Sequence, residues 1–311
     1  MPGFPFPTDP VLTGIVVAYK NGEYIADEVL PRLDPMLPKQ LFKYSKFDFG
    51  QQITLPDTKV GRKSVPTVVE FATSDQPATT LDYGLDDIIP FDDMKNAPAG
   101  YDPTKFAAQK LIDLIQLDRE IRVANLVFGA GTYPAANKVT LSGTSQWSDA
   151  TSDPIAAIQD AADTMPMKPN IMVFGQAAWT KFRRHPKIIA AISFSGTSSG
   201  VASRKAVAEL LELDDIIVGS AWLNSAKPGQ TVSRVRAWGK HGALLRREKL
   251  ATSLDQMPTF GWTAQYGGKV AGQIDEPKTG LRGSTRVRAG ESVAEVIAAN
   301  DLGYLFTNAV A

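Results

Sequence analysis

The stretch that decides the fold is Asp102-Pro-Thr-Lys-Phe-Ala-Ala-Gln-Lys-Leu111-Ile-Asp-Leu-Ile-Gln-Leu-Asp-Arg-Glu120-Ile-Arg-Val-Ala-Asn-Leu-Val-Phe128. Asp102 is a good N-cap, and Pro103 takes the first helical position, where its missing N–H has no partner to lose. Ala107, Leu111, Leu114, Ile115, Ile121, Ala124 and Phe128 recur at helical spacing. Lys105, Gln109, Asp113, Gln116 and Glu120 supply a polar face, and Gly129-Ala-Gly131 ends the run. A helix of about 26 residues is about 39 Å long, well above the globular mean, and is a candidate spine for the molecule.

On its N-terminal side the chain is extended. Four prolines fall in the first ten positions, followed by an apolar run from Val11 to Ala18 without strong alternation, which predicts an extended arm. A short helix is predicted over Gly22 to Leu30, stopped by Pro31. Gln52 to Leu55 and Val65 to Phe71 read as two β runs around a basic tip containing Lys59, Arg62 and Lys63. An isolated two-stranded ribbon is marginal in water, so this hairpin needs a partner surface. Residues 81–93 place Asp82, Asp86, Asp87, Asp92 and Asp93 among apolar residues. That pattern fits a strand with a solvated acidic face, or one half of an intersubunit pairing with the basic tip.

On the C-terminal side, Asp153-Pro154 opens a second helix. Asn170 to Phe174 reads as a buried strand, a helix carries Trp179 and Phe182, and Ile188 to Ile192 adds another apolar piece. Ser203 caps a helix over Lys205 to Leu213, and Asp215 to Gly219 is a second buried strand. This order predicts a compact α/β unit over 153–240. The β-like runs after Arg234 (Arg234–Trp238, Ala243–Arg246, Trp262–Tyr266, Ser284–Arg288 and Leu302–Thr307) are expected to return to the spine helix.

The whole chain has 311 residues, no cysteine, two histidines, and 33 basic against 33 acidic side chains. That composition excludes disulfides and thiolate chemistry, and it leaves little for imidazole metal sites. Balanced charge argues against bulk electrostatic binding of nucleic acid. No run of about 20 apolar residues is available to span a membrane, and the N-terminus lacks a secretory signal, so a protein made in the cytoplasm is expected. Gly196-Thr-Ser198-Ser-Gly200 matches a nucleophile elbow but sits in a loop of low complexity rather than at a strand-to-helix turn. Gly267-Gly268-Lys269 is followed by Val270 and so fails as a phosphate loop, and Gly129-Ala-Gly131 follows a helix rather than a strand. No catalytic residue, cofactor site or metal site is assigned.

The ordered set resembles one family, the major capsid proteins of tailed phages with the Hong Kong 97-type fold. The resemblance is carried by the proline-rich arm, the basic-tipped hairpin, the helix at 102–128, Asn170-Ile-Met-Val-Phe-Gly-Gln-Ala-Ala-Trp179 with His185-Pro-Lys-Ile-Ile189, Ala208-Glu-Leu-Leu-Glu-Leu-Asp-Asp-Ile-Ile-Val-Gly-Ser-Ala221, and the ending Asp301-Leu-Gly-Tyr-Leu-Phe-Thr-Asn-Ala-Val-Ala311. It covers nearly the whole chain through order and spacing rather than through one signature. It implies an α+β fold with an N-terminal arm and short helix (1–46), an extended hairpin loop (47–75), a peripheral domain (76–152 and 241–311) around the spine helix, and an axial domain (153–240). It also implies a structural protein that assembles as hexamers and pentamers into an icosahedral shell around double-stranded DNA in the host cytoplasm. Its implied partners are a portal protein, a separate scaffolding protein and a decoration protein. The expected intersubunit contacts are Phe4 and Phe6 of the arm, with Lys59, Arg62 and Lys63 facing Asp86, Asp87, Asp92 and Asp93. Covalent crosslinking through Lys59 or Lys63 is not expected, because nothing in the sequence places the acid it needs. The rivals are an encapsulin-like compartment around a cargo enzyme, a serine hydrolase using Ser198, and a tail or decoration protein.

Overall fold

The computed structural model describes residues 6–46, 55–68, 74–193, 200–227, 229–248 and 258–311. The first element overturns the extended reading of Val11 to Ala18, which is instead helix α1 (Pro10–Ala18). The Asp9 carboxylate accepts from the backbone N–H groups of Val11 (2.8 Å) and Leu12 (3.3 Å), with Pro10 at the first helical position. This is the Asp-Pro start of the spine helix over again, and a proline at N1 is no obstacle to a helix. The predicted helix over Gly22 to Leu30 shrinks to one turn, α2 (Ala26–Val29).

Strand β1 (Leu41–Lys46) pairs antiparallel with β2 (Ser74–Thr79), Leu41 opposite Thr79 and Lys46 opposite Ser74. Among the described residues the ladder lies on the far side of both predicted runs from the tip. Residues 55–68 contain no strand, and residues 52–54 and 69–71 lie outside the described residues. Pro56 and Pro66 each remove a donor from this stretch, which disfavours a ladder through it. Strand β3 (Leu81–Pro90) follows, then α3 (Phe91–Lys95) and the spine helix α4 (Pro103–Val127). Asp102 caps α4 as predicted, accepting from Thr104 N at 3.1 Å and Lys105 N at 3.4 Å.

The rest of the chain supplies β4 (Lys138–Thr140), α5 (Pro154–Asp163), β5 (Ile171–Gly175), α6 (Gln176–Phe182), α7 (Pro186–Ile192) and α8 (Arg204–Leu210). After these come β6 (Asp215–Gly219), β7 (Trp222–Asn224), β8 (Arg234–Arg236), β9 (Gly242–Leu245), β10 (Gly261–Glu276), β11 (Ser284–Ile297) and β12 (Gly303–Thr307). A five-stranded mixed sheet has the order β4-β12-β9-β5-β6. Ile171, Met172, Val173 and Phe174 of its β5 are all fully buried, as expected of a strand covered on both faces, whose sequence is a continuous apolar run. Strands β4, β9 and β12 come from stretches that the sequence assigns to the peripheral domain, so the sheet crosses that division. The α/β unit cannot close on its own two strands, because the second edge of β5 is paired by β9.

The second large sheet is the antiparallel set β10-β11-β3. One face packs on α4 and α1, where Leu12, Val16, Ala108, Ile112, Ile115, Val287 and Ala289 form one apolar cluster. Burying a Leu, Ile or Val side chain is worth about 1.5–3 kcal/mol, so Leu12, Val16, Ile112, Ile115 and Val287 contribute most of the adhesion between sheet and spine. Among the described residues no helix is long and apolar enough to cross a membrane.

Candidate assembly surfaces

The tip of the hairpin is a turn, with Ser64 N–H donating to Gly61 O at 2.9 Å and Arg62 and Lys63 at its corners. Thr67 Oγ1 donates to Asp57 O at 3.1 Å and ties the two limbs together. Lys59, Arg62 and Lys63 are all exposed. So are apolar side chains on the same segment, with Leu55, Val65 and Val68 at 85, 86 and 89% exposure. Apolar side chains left this open on one short segment are a candidate contact surface.

The acids on β3 and α3 divide into two sets. Asp86 accepts from Arg288 Nε at 2.7 Å and Arg286 Nη1 at 3.0 Å on the neighbouring strand, and Asp92 pairs with Arg282 at 3.0 Å. The Arg288 hydrogen bonds lead in holding the Asp86 carboxyl below the usual carboxylate range. These two acids are engaged within their own chain. Asp87 and Asp93 are exposed and form no ion pair among the described residues, and they remain available to a neighbour.

The arm also meets its own chain. The Arg288 guanidinium stands 4.5 Å from the centre of the Phe6 ring, and Asp9 N–H donates to Ala271 O at 3.0 Å. A Cβ on Gly272 would lie 2.0 Å from Pro7 O, so glycine is what lets the arm cross β10. Phe6 is therefore placed on the outer face of its own sheet, and Phe4 lies outside the described residues.

Sequence reading missed a buried polar group on the spine helix. Glu120, assigned to the polar face, is fully buried. Its Oε1 accepts from Trp238 Nε1 at 2.6 Å and Ile25 N at 3.0 Å, and its Oε2 accepts from Ala26 N at 2.8 Å. Burial pushes this carboxyl upward, and the three N–H donors oppose the shift. Beside it, Arg119 Nη1 contacts Asp27 at 2.5 Å, and Arg32 bridges Asp27 and Glu291, each at 2.8 Å. The signal lay in the stripe Ala108, Ile112, Ile115, Val123 and Val127, which is interrupted at Arg119 and Glu120 although the helix continues. Charges inside an apolar stripe are buried with it.

Ser198 lies outside the described residues. The structure instead pairs Ser152 Oγ with His185 Nε2 at 3.1 Å, both residues being buried. Lys187 N–H donates to His185 Nδ1 at 3.3 Å, so the ring proton resides on Nε2, which also faces Asp149 O at 2.9 Å. A protonated Nε2 donates and cannot take the serine proton, so this pair fixes the start of α7 rather than activating a nucleophile. Among the described residues no group of three or more His, Asp or Glu side chains is arranged to hold a metal ion.

A β1–β2 ladder with a basic turn beyond it, a spine helix packed on a long antiparallel sheet, and a five-stranded mixed sheet flanked by helices are the elements expected of the Hong Kong 97-type fold. Residues 132–222 match the family described as Phage major capsid protein E. Over all 311 residues, and the full length of the relative, the chain is 49% identical to the major capsid protein of Pseudomonas phage JBD67. A crystal structure of a phage-related protein from Bordetella bronchiseptica RB50 superposes with a TM-score of 0.74 at 19% identity, covering 98% of each chain. The capsid of the cyanophage P-SCSP1u superposes at 0.55 and 11% identity, covering 93% of this chain and 89% of that one. The chain belongs to the tailed-phage major capsid proteins, and its role is that of a structural subunit of a virion shell.

Proposed function

We propose that the protein assembles as hexamers and pentamers into a closed icosahedral shell that encloses double-stranded DNA without reading its sequence, and that it does so without catalysis. The observation that carries this reading is the hairpin tip. It presents Leu55, Val65 and Val68 to solvent beside Lys59, Arg62 and Lys63, a surface with no use in an isolated subunit. In the shell it covers a neighbour, with its cations facing Asp87 and Asp93 and, at the ends of their own ion pairs, Asp86 and Asp92. Phe6, with Phe4 ahead of it, extends the same contact from the arm. Exposed ion pairs are worth about 0–1 kcal/mol each, so the charges set register while the apolar groups supply adhesion. The α/β unit over 153–240, with the strands that complete its sheet, sits at the capsomer axis, and the spine helix with the β10-β11-β3 sheet forms the periphery. Assembly takes place in the host cytoplasm, with a portal protein, a separate scaffolding protein and a decoration protein as partners.

Purified particles test this directly. Electron microscopy is expected to show closed polyhedral shells, and particles from infected cells to hold nuclease-protected double-stranded DNA. A persistent monomer or dimer under all conditions would overturn the assembly reading. Shells filled with a cargo enzyme would favour an encapsulin-like compartment instead.

A further inference from the structure

The turn between β10 and β11 carries Leu281, which is 98% exposed, more than any other large apolar side chain among the described residues. The turn around it is braced. Thr279 N–H donates to Glu276 O at 3.2 Å and Thr279 Oγ1 to Glu276 Oε2 at 3.0 Å, while Ser284 Oγ donates to Thr279 O at 2.9 Å. Phe91 N–H donates to Gly283 O at 3.1 Å and Arg282 pairs with Asp92 at 3.0 Å, which ties the turn to the start of α3. Gly280 and Gly283 have φ of +76° and +86°, left-handed values that glycine adopts without strain. A Cβ at Gly283 would also stand 2.7 Å from the Phe91 ring. Leu281 is thus held in water at a fixed place.

A single exposed leucine is ordinary, and its surroundings decide whether it means anything. Beside this one is an open cavity of about 320 Å³ lined by Phe91, Met94, Lys95 and Arg282. Phe91 and Met94 give it an apolar wall, and a methionine side chain adapts to the shape of what enters. Arg282 is the next residue after Leu281, so knob and socket are neighbours on one surface. At 98% exposure, Leu281 does not fill the socket of its own chain.

We propose that Leu281 of one copy enters the Phe91–Met94 socket of another, copies about a rotation axis each giving a knob and receiving one. The proposal rests on the assembly reading above and adds a contact separate from the hairpin tip. A second copy is the favoured occupant because the chain carries the complement of its own cavity, and adjacent complementary features close about a twofold or threefold axis without leaving a free end. Charge matches as well. Lys278 on the turn and Asp93 on α3 are exposed and form no ion pair among the described residues. A carboxylate has two oxygens, so Asp93 can take this cation beside one from a hairpin tip.

The chain has no cysteine, so single thiols can be introduced without background. Copies carrying Leu281→Cys are co-assembled with copies carrying Met94→Cys and oxidised with diamide, which takes up the two electrons and two protons that each thiol pair loses. Mass spectrometry of the digest is expected to show peptides linked between positions 281 and 94, a link that in this mixture forms only between two copies, and free subunits treated identically should stay unlinked. Shells whose thiols react with a small reagent but form no such link would overturn the proposal, as would links joining only 281 to 281. A thiol at 281 that is shielded only when another virion protein is present would assign the contact to that protein and overturn it too. Leu281→Asp reads the same contact in the otherwise parental chain. Subunit unfolding should be unchanged, because the side chain is exposed, and the subunit concentration needed for shells should rise by about tenfold or more. An unchanged concentration would overturn the proposal. Failure of the parental chain to form shells would overturn the assembly reading and this proposal together, whereas shells without the 281-to-94 link would overturn this proposal alone.

Discussion

The indole Nε1–H of Trp238 donates to Oε1 of Glu120 at 2.6 Å, joining the chain that follows β8 to the middle of the spine helix. The same carboxylate also takes the backbone N–H groups of Ile25 and Ala26 at the start of α2. One side chain therefore holds the arm-proximal turn, the spine and the α/β unit at a single point. Replacing Glu120 with alanine leaves three buried donors without acceptors, each costing about 1–3 kcal/mol. Glu120→Ala is expected to destabilise the free subunit by at least about 3 kcal/mol in chemical denaturation, and Glu120→Gln by less, since its amide oxygen still accepts.

Trp238 is seated as tightly on its other side. A Cβ on Gly219 would lie 2.1 Å from its Cδ1. Gly219→Ala forces the indole to move and is expected to cost about 1–3 kcal/mol as overpacking. Near-ultraviolet circular dichroism should lose tryptophan signal while the far-ultraviolet spectrum is retained. An unchanged near-ultraviolet spectrum would show that the indole is not held against β6.

Asp86 gives the fold an acid-sensitive element. Its carboxyl is lowered in the folded state by the Arg288 and Arg286 hydrogen bonds. The stabilisation is therefore fully present above the unfolded value of about 3.9 and is lost as pH falls through the lower folded value. Asp86→Asn is expected to be less stable than the parent at neutral pH, with the difference closing as pH drops below about 4. A gap that stays constant through this window would show that the ion pairs do not carry it.

The basic tip can be tested without disturbing the core. Arg62 and Lys63 are exposed, so Arg62→Glu with Lys63→Glu should leave subunit unfolding unchanged. At low salt the subunit concentration needed for shells should rise about tenfold, equivalent to about 1.4 kcal/mol per subunit. The difference should vanish near 1 M salt, where charges are screened beyond about 3 Å. Normal assembly of the double variant at low salt would remove the charge-register idea.

Local signals were legible and distant ones were not. The Asp-Pro start is plain at Asp102-Pro103 and Asp153-Pro154, whereas the same signal at Asp9-Pro10, which opens α1, is masked in the sequence by the prolines before it. The strand at Trp262–Tyr266 was visible, but β10 runs on to Glu276 through a bulge that breaks the alternation on which the reading depends. The basic tip was legible because turn residues and charge are local features. The partners of Asp86 were not, since Arg286 and Arg288 lie 200 and 202 positions away in the chain and only the sheet brings them together. Glu120 misled for a related reason, because helical spacing defines a face but cannot say that Trp238 and the α2 turn will cover it.

The most direct measurement is a cryo-electron microscopy reconstruction of the assembled particles. The account predicts a closed icosahedral shell in which residues 55–68 of each copy lie on an adjacent copy, burying Leu55, Val65 and Val68 and bringing Arg62 or Lys63 within ion-pair distance of the neighbour's acidic strand or α3. A closed shell whose hairpins project into solvent or fold back on their own subunits would contradict it.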